Sequence, residues 1–295
     1  MADYPVIRDS RGEEIPWTGL RLESHMANTT EDIDRNIEYS LGRKYIGYQE
    51  LIGTESGAVS VVGSGPSLKE NWHKLRDFDG DIITCNAACQ FLLEKGIVPK
   101  YWFCFDADPL MLEFITPRSD ITYLLASRCP PKAWELLEGC KVVCWHAMGD
   151  LNLQAILEKH RLMEPMVVGG SAAVTRAMIL THSLGYKSVH LWGVDSSFHN
   201  GDTHIRQSTT VEKWIPILCN KQVFDCAPWM AQQAEDFKIL APSMRDELGM
   251  KLVVHGYGLI PHLAKAMKFE VDDESKATQF WRHAKTKAGI LWSQL

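Results

Sequence analysis

The sequence lacks several things, and each absence excludes a class of protein. None of its eight cysteines (Cys85, Cys89, Cys104, Cys129, Cys140, Cys144, Cys219 and Cys226) forms a CxxC pair. The tight spacing of a zinc site is therefore missing. Several of them sit in apolar runs such as TYLLASRCP and CKVVCWHA, the pattern of buried, reduced thiols. Positive charge is not in excess: 31 Lys and Arg against 37 Asp and Glu give a formal net charge of -6. A surface that neutralises nucleic-acid phosphates is not favoured by that balance. No apolar run approaches the ~20 residues that a spanning helix needs. MADYPVIRDSRGEEIPW lacks the basic start and apolar stretch of a signal peptide. The expectation is a cytoplasmic protein with no membrane span. Internal repeats and low-complexity tracts are also missing.

What is present is a chain of 295 residues, 45% hydrophobic and 23% charged, enough for a sizeable core. From Ala58 onward, short apolar runs alternate with helix-length amphipathic stretches. The runs are AVSVVG, DIITCN, YWFCFD, ITYLLA, KVVCWH, MVVG, VHLWGVD and KLVVHG. Near-continuous apolar strands of this kind predict a mainly parallel sheet with helices on both faces, a Rossmann-like doubly wound α/β fold. AACQFLLEKG reads as a helix closed by Gly96. SAAVTRAMILTHSLG reads as another, capped by Ser171 and closed by Gly185. AQQAEDFKILAPSMRDELG is expected to break into two helical pieces at Pro242. Residues 197–230 read as a polar excursion over the ligand edge of the sheet.

Three parts follow: a helical extension over 1–55, a Rossmann-like domain over 56–268, and a helical tail over 269–295. Trp281, Ile290 and Trp292 in the tail suit docking on the body or on another subunit, which makes a homo-oligomer an expectation.

VVGSGPSL ends the first strand of the pattern on Gly63, Ser64 and Gly65, then enters a helix through Pro66 and Ser67. Glycines let a ligand approach the backbone, and helix N–H groups suit an anion, so phosphate or nucleotide contact is expected here. The stretch is neither a P-loop nor the longer dinucleotide fingerprint. Asn86 follows the next strand and either contacts base or ribose or caps a helix. In FCFDADP, Asp106 and Asp108 point the same way, suited to Mg²⁺ on a diphosphate or, for one of them, to a ribose hydroxyl. The alternative is a solvated turn in which Asp108 is a helix cap. Gly169, Gly170 and Ser171 form a second anion-ready turn or a site of close packing. Asp195 ends the strand WGVD. His199, Asp202 and His204 follow it, a trio that suits a base or a metal as well as plain solvation. His146, His182 and His190 lie within elements and read as packing residues.

VVGSGPSL, NAACQFLLEKGIVPKYWFCFDADP and GGSAAVTRAMILTHSLGYKSVHLWGVDSSF together resemble the 6-hydroxymethylpterin diphosphokinase MptE-like family, which includes motility accessory factors tied to flagellin glycosylation. The same order is distantly similar to bacterial sialyltransferases that use a cytidine-monophosphate sugar. The resemblance runs over roughly residues 58 to 265. It implies that Gly63, Gly65, Pro66, Ser67 and Asn86 hold the nucleotide. It places Asp106 at an acidic metal-binding motif, although FDADP is poorer in Asp-Gly than that motif, and Asp195 at the family's strand-end Asp. The sialyltransferases carry a catalytic histidine before a late helix. Here that region reads FDCAPWMAQQAEDF, so His199 or His204 would replace it.

The function implied is a nucleotide-dependent transferase. The first reading is a glycosyltransferase with a nucleotide-sugar donor and a hydroxyl acceptor, using Asp195, His199 or His204 on the acceptor. The alternatives are a diphosphokinase using ATP and Mg²⁺ on Asp106 and Asp108, and a non-catalytic nucleotide-binding module.

Overall fold

The computed structural model of the protein describes residues 7–9, 28–205 and 215–272. The tail bearing Trp281, Ile290 and Trp292 lies outside the described residues. The strands are β1 (Ile7–Asp9), β2 (Ile46–Gly47), β3 (Ala58–Val62), β4 (Asp81–Cys85), β5 (Tyr101–Cys104), β6 (Thr122–Ala126), β7 (Lys141–Ala147), β8 (Met166–Val167), β9 (Ser188–Trp192), β10 (Ile215–Cys219), β11 (Gln222–Cys226), β12 (Lys251–His255) and β13 (Glu270–Asp272). The α-helices are α1 (Thr30–Leu41), α2 (Leu68–Asn71), α3 (Ala88–Glu94), α4 (Pro131–Leu136), α5 (Leu153–Lys159), α6 (Ala173–Leu184), α7 (Pro228–Asp246) and α8 (Leu259–Ala266). Among the described residues, no helix is long and apolar enough to cross a membrane.

Every one of the eight apolar runs forms a strand, and all eight join one parallel sheet. Its order is β13-β12-β9-β3-β4-β5-β6-β7-β2, with β8 on β7. The reason is burial on both faces. On one side, Val59 and Val61 of β3, Ile83 of β4 and Leu191 of β9 enter a core shared with α6, α7 and α8. The alternating residues Val62, Ile82 and Trp192 enter a second core with Leu68, Leu75 and Leu92. Side chains in a strand alternate between faces, so two covered faces need an unbroken apolar run. The fold is α/β and Rossmann-like.

The strand order reverses at β3. The chain steps outward through β4 to β7, then returns to place β9 on the other flank of β3, with Val61 opposite Leu191 and Val62 opposite Trp192. Ligands of open parallel sheets bind at such a reversal, beyond the carboxyl ends of the strands.

Local chemistry sets the helix ends. Thr29 and Asp32 form a reciprocal capping box on α1. Gly96 and Gly185, at φ 74° and 113°, close α3 and α6 as expected. In two places the structure departs from the sequence reading. First, α7 runs unbroken through Pro242. An interior proline costs about 3 kcal/mol. Phe237, Ala241 and Met244 are all buried around it, and burying a large apolar side chain contributes about 1.5–3 kcal/mol, which offsets that cost. Second, the excursion after residue 197 contains the antiparallel hairpin β10–β11, which pairs with β1 in a small separate sheet. Its turn residues Asn220 and Lys221 both have positive φ, 45° and 68°, the two-residue turn that matches strand twist. All eight cysteines are free, and only Cys140 is not buried.

Candidate functional site

The turn after β3 is closed by the protein itself. Gly63 N–H donates to the Trp192 carbonyl at 2.8 Å, and Gly65 N–H donates to the Gly193 carbonyl at 2.7 Å. A Cβ on Gly63 would lie 2.6 Å from the Gly193 carbonyl oxygen. On Gly65 it would lie 2.6 Å from that oxygen and 2.7 Å from the Asp195 carboxylate. The glycines are therefore required by the crossing of two strand ends, before any ligand is considered. Ser67 N–H donates to Asp195 Oδ2 at 2.6 Å, and Ser67 Oγ donates to Asp195 Oδ1 at 2.5 Å. The anion that this turn accepts is the chain's own carboxylate. This corrects the expectation that Ser67 and its helix N-terminus present open donors to a phosphate; α2 is also only four residues long.

Asp195 is 3% exposed. Burial pushes its carboxyl up to about 7, against the pull of the two Ser67 hydrogen bonds. A carboxyl whose folded pKa lies above its unfolded value near 3.8 contributes most below pH 3.8 and loses that contribution as pH rises through 7. Wild-type stability relative to Asp195→Asn is therefore expected to fall between about pH 4 and pH 7, by at most about 1.4 kcal/mol per pH unit. Urea unfolding of both proteins across that range measures it. Parallel profiles would refute the assignment.

The turn before α6 repeats the device. Ser171 N–H and Ser171 Oγ both donate to Asp236 Oδ2 at 2.6 Å. A Cβ on Gly170 would collide with the same carboxylate. Ser171 does not cap α6, whose N-cap is Ala172. Gly170 and Ser171 are thus held by α7, in line with the close-packing alternative for this turn.

Between these two closed turns, at the reversal of strand order, lies a cleft of about 110 Å³. Ser64, Asn86, Ser196, Thr203, His204 and Trp229 contribute to its walls, and no Lys or Arg is among its described lining residues. Asn86, at φ 48°, turns the chain at the end of β4. Its carbonyl accepts the Trp102 indole N–H at 3.0 Å. Its side-chain Oδ1 is buried with no hydrogen-bond partner. Asn86 is not the cap of α3; Ala87 is. Ser196, also left-handed at φ 50°, is 4% exposed, and its Oγ has no partner. The Cys226 thiol donates to its carbonyl at 3.2 Å. His204 Nδ1 lies 3.0 Å from Thr203 Oγ1, and its ring stacks on Trp229 at 5.5 Å and 15°.

Other expected residues are placed elsewhere. His199 is absent from the cleft wall. Its ring tilts against Tyr257 at 4.4 Å, and burial lowers its pKa. Asp202 next to it pairs with Lys69 at 2.6 Å. Asp106 Oδ1 accepts Asp108 N–H at 3.0 Å, and Asp108 Oδ1 accepts Leu110 N–H at 2.8 Å, capping the turn Pro109–Phe114. Neither carboxylate reaches the cleft. Among the described residues no group of three or more His, Cys, Asp or Glu is arranged to hold a metal ion. As arranged, Asp106 and Asp108 do not fit Mg²⁺ on a cleft ligand. His146 is buried between Ser127 and Glu164. His190 bonds His255 at 3.0 Å, and burial first, then His255, pushes its pKa down to about 4.

Sequence reasoning missed Ser196, Trp229 and Gln233. The last two stand four apart on one face in the first turns of α7, but the strand before that helix belongs to the small separate sheet, so nothing in the sequence signals that this face meets the ligand edge.

The family model described as 6-hydroxymethylpterin diphosphokinase MptE-like matches residues 28–201, more than half of the chain. Among solved structures, the Maf glycosyltransferase from Magnetospirillum magneticum AMB-1 is similar with a TM-score of 0.55 at 19% identity, over 78% of this chain and 37% of that one. The chain thus spans little more than a third of that protein's length, and the likeness is one of fold. A mammalian sialyltransferase has a TM-score of 0.37 at 13% identity, over 85% of this chain and 89% of that one, too weak a likeness to carry an argument. No curated protein sequence matches.

Proposed function

Because the chain belongs to the 6-hydroxymethylpterin diphosphokinase MptE-like family, and because its cleft presents hydrogen-bonding side chains with no Lys or Arg among its described lining residues, we propose that it is a nucleotide-dependent glycosyltransferase. The donor is a nucleotide sugar and the acceptor carries a hydroxyl. The observation that carries this reading is the buried, unpartnered Asn86 Oδ1 in a cleft at the strand-order reversal. An orphaned buried acceptor costs about 1–3 kcal/mol, and a ligand donor group removes that cost. The Maf glycosyltransferase, with its similar fold, supports the reaction class.

His204 is the base in this reading, because it lines the cleft and His199 does not. His204 Nδ1 pairs with Thr203 Oγ1, and this reading assigns the ring the Nδ1–H tautomer, which makes Nε2 its basic atom. Nε2 takes the acceptor hydroxyl proton. The acceptor oxygen bonds to the anomeric carbon, the bond from that carbon to the phosphate oxygen breaks, and the nucleotide leaves with the electron pair. Asp195 is a positioning residue: it fixes the Gly63–Ser67 turn from beneath.

Asn86→Ala is expected to weaken donor binding about tenfold. Titration calorimetry with the nucleotide sugar found by a thermal-shift panel measures it, and unchanged affinity would remove Asn86 from the site. The reaction class is tested by incubating the protein with nucleotide sugars and following release of the free nucleotide. If no nucleotide sugar is consumed, while ATP and Mg²⁺ pyrophosphorylate a hydroxymethylpterin with release of AMP, the diphosphokinase reading replaces this one.

A further inference from the structure

We infer that the cleft receives the uncharged ring of its ligand through Ser196 and Asn86, and that the ligand's phosphate lies outside it. This rests on the transferase reading above and reverses the pose in which a phosphate sits on the glycine turn. Three observations carry it.

Both sets of serine donors that a phosphate would need are occupied. Ser67 gives its N–H and hydroxyl to Asp195, and Ser171 gives both of its own to Asp236. A phosphate drawing on these donors would have to displace their contacts and stand beside carboxylate oxygens. Next, no described lining residue is Lys or Arg, so no side-chain cation there offsets the loss of hydration of a doubly charged group. Third, the unsatisfied Asn86 oxygen is of the wrong kind for an ionised phosphate. Asn86 Oδ1 accepts only, and a phosphate offers it no proton at neutral pH. It calls for an O–H or N–H. Ser196 Oγ, 4% exposed, adds a hydroxyl that both gives and receives. Trp229, stacked with His204, supplies a flat apolar wall beside them.

A ring bearing O–H or N–H groups meets all of these demands. Sugar and nucleoside rings share that chemistry. Ser196 keeps its left-handed φ of 50° under the Cys226 thiol, so its position does not depend on a ligand.

The test is a binding series on the full chain by titration calorimetry: free nucleosides, their mono- and diphosphates, inorganic pyrophosphate, and methyl glycosides. Wild-type protein is expected to bind one nucleoside or methyl glycoside within about threefold of its phosphorylated form, and pyrophosphate not at all. Whichever neutral compound binds identifies the ring as base-bearing or sugar. Ser196→Ala is expected to weaken that neutral compound about fivefold, and Ser196→Gly, which suits the left-handed φ of 50° and also lacks the hydroxyl, to weaken it by a similar factor. A diphosphate more than tenfold tighter than its nucleoside, or pyrophosphate binding by itself, overturns the inference while leaving sugar transfer intact. A neutral ring that binds with no donor ever turned over refutes the transferase reading and leaves the inference standing. Equal affinity in wild type and Ser196→Ala overturns the assignment of Ser196, and no binding by any compound overturns both.

Discussion

His204→Ala is expected to lower glycosyl-transfer turnover about 10²–10⁴-fold, the usual contribution of a positioned general base. Donor affinity is expected to change little, since the ring contributes a wall, and Trp229 and Asn86 remain. The steady-state signature is a fall in kcat with KM within about threefold, the pattern of an interaction made only in the transition state. His199→Ala is the matched control. It removes an imidazole five positions away that packs on Tyr257, so turnover is expected to stay near wild type. If His199→Ala abolishes turnover and His204→Ala spares it, the base has been assigned to the wrong side of the loop. Had neither histidine mattered, deprotonation of the acceptor would have to come from the acceptor itself or from solvent.

The largest effect on stability is expected at Gly65. A methyl group there would meet the Gly193 carbonyl at 2.6 Å and the Asp195 carboxylate at 2.7 Å, far inside contact distance. Neither neighbour can give way: the carbonyl belongs to the strand-end crossing, and the carboxylate is held by Ser67 from two atoms. Gly65→Ala is expected to cost about 3 kcal/mol or more, the upper range of overpacking, read by urea denaturation. Gly42→Ala is the control. Gly42 ends α1 at an ordinary φ of -72°, and its added Cβ would lie 3.5 Å from the nearest atom. That change is expected to fall within about 0.5 kcal/mol of neutral or to stabilise slightly. A Gly65→Ala protein as stable as wild type would mean that the crossing has room that its geometry denies.

The fold was legible because burial on both sheet faces writes itself as uninterrupted apolar runs. AVSVV and SVHLW have no other good explanation. The hairpin was not legible, because IPILC carries a proline and CNKQVFDC splits its apolar residues across a two-residue turn. The continuity of α7 through Pro242 depends on Phe237 and Met244 finding a core, which no local pattern announces. In the candidate site, position was readable and purpose was not. Gly63 and Gly65 line the cleft that a strand-to-helix turn predicts, and Ser67 sits beside it, yet the Gly193 carbonyl demands the glycines and Asp195 holds Ser67, both supplied by a distant stretch of sequence. At Ser171 the partner is Asp236, likewise distant in sequence, which the local pattern could not name. A turn rich in glycine and serine marks where something negative arrives; only tertiary structure says whether that charge comes from a ligand or from the chain.

The central place of β3 also governs how this molecule can be made. As a ribosome delivers the chain, β3 gains β4 early, while its other edge waits for β9, with Ala58 opposite Ser188. Throughout that interval an apolar strand edge is bare, the kind of template on which nascent chains pair wrongly with one another. Synthesis halted before Trp192 would leave that edge open for good, so early-terminated products should precipitate rather than persist as a half-sized fold.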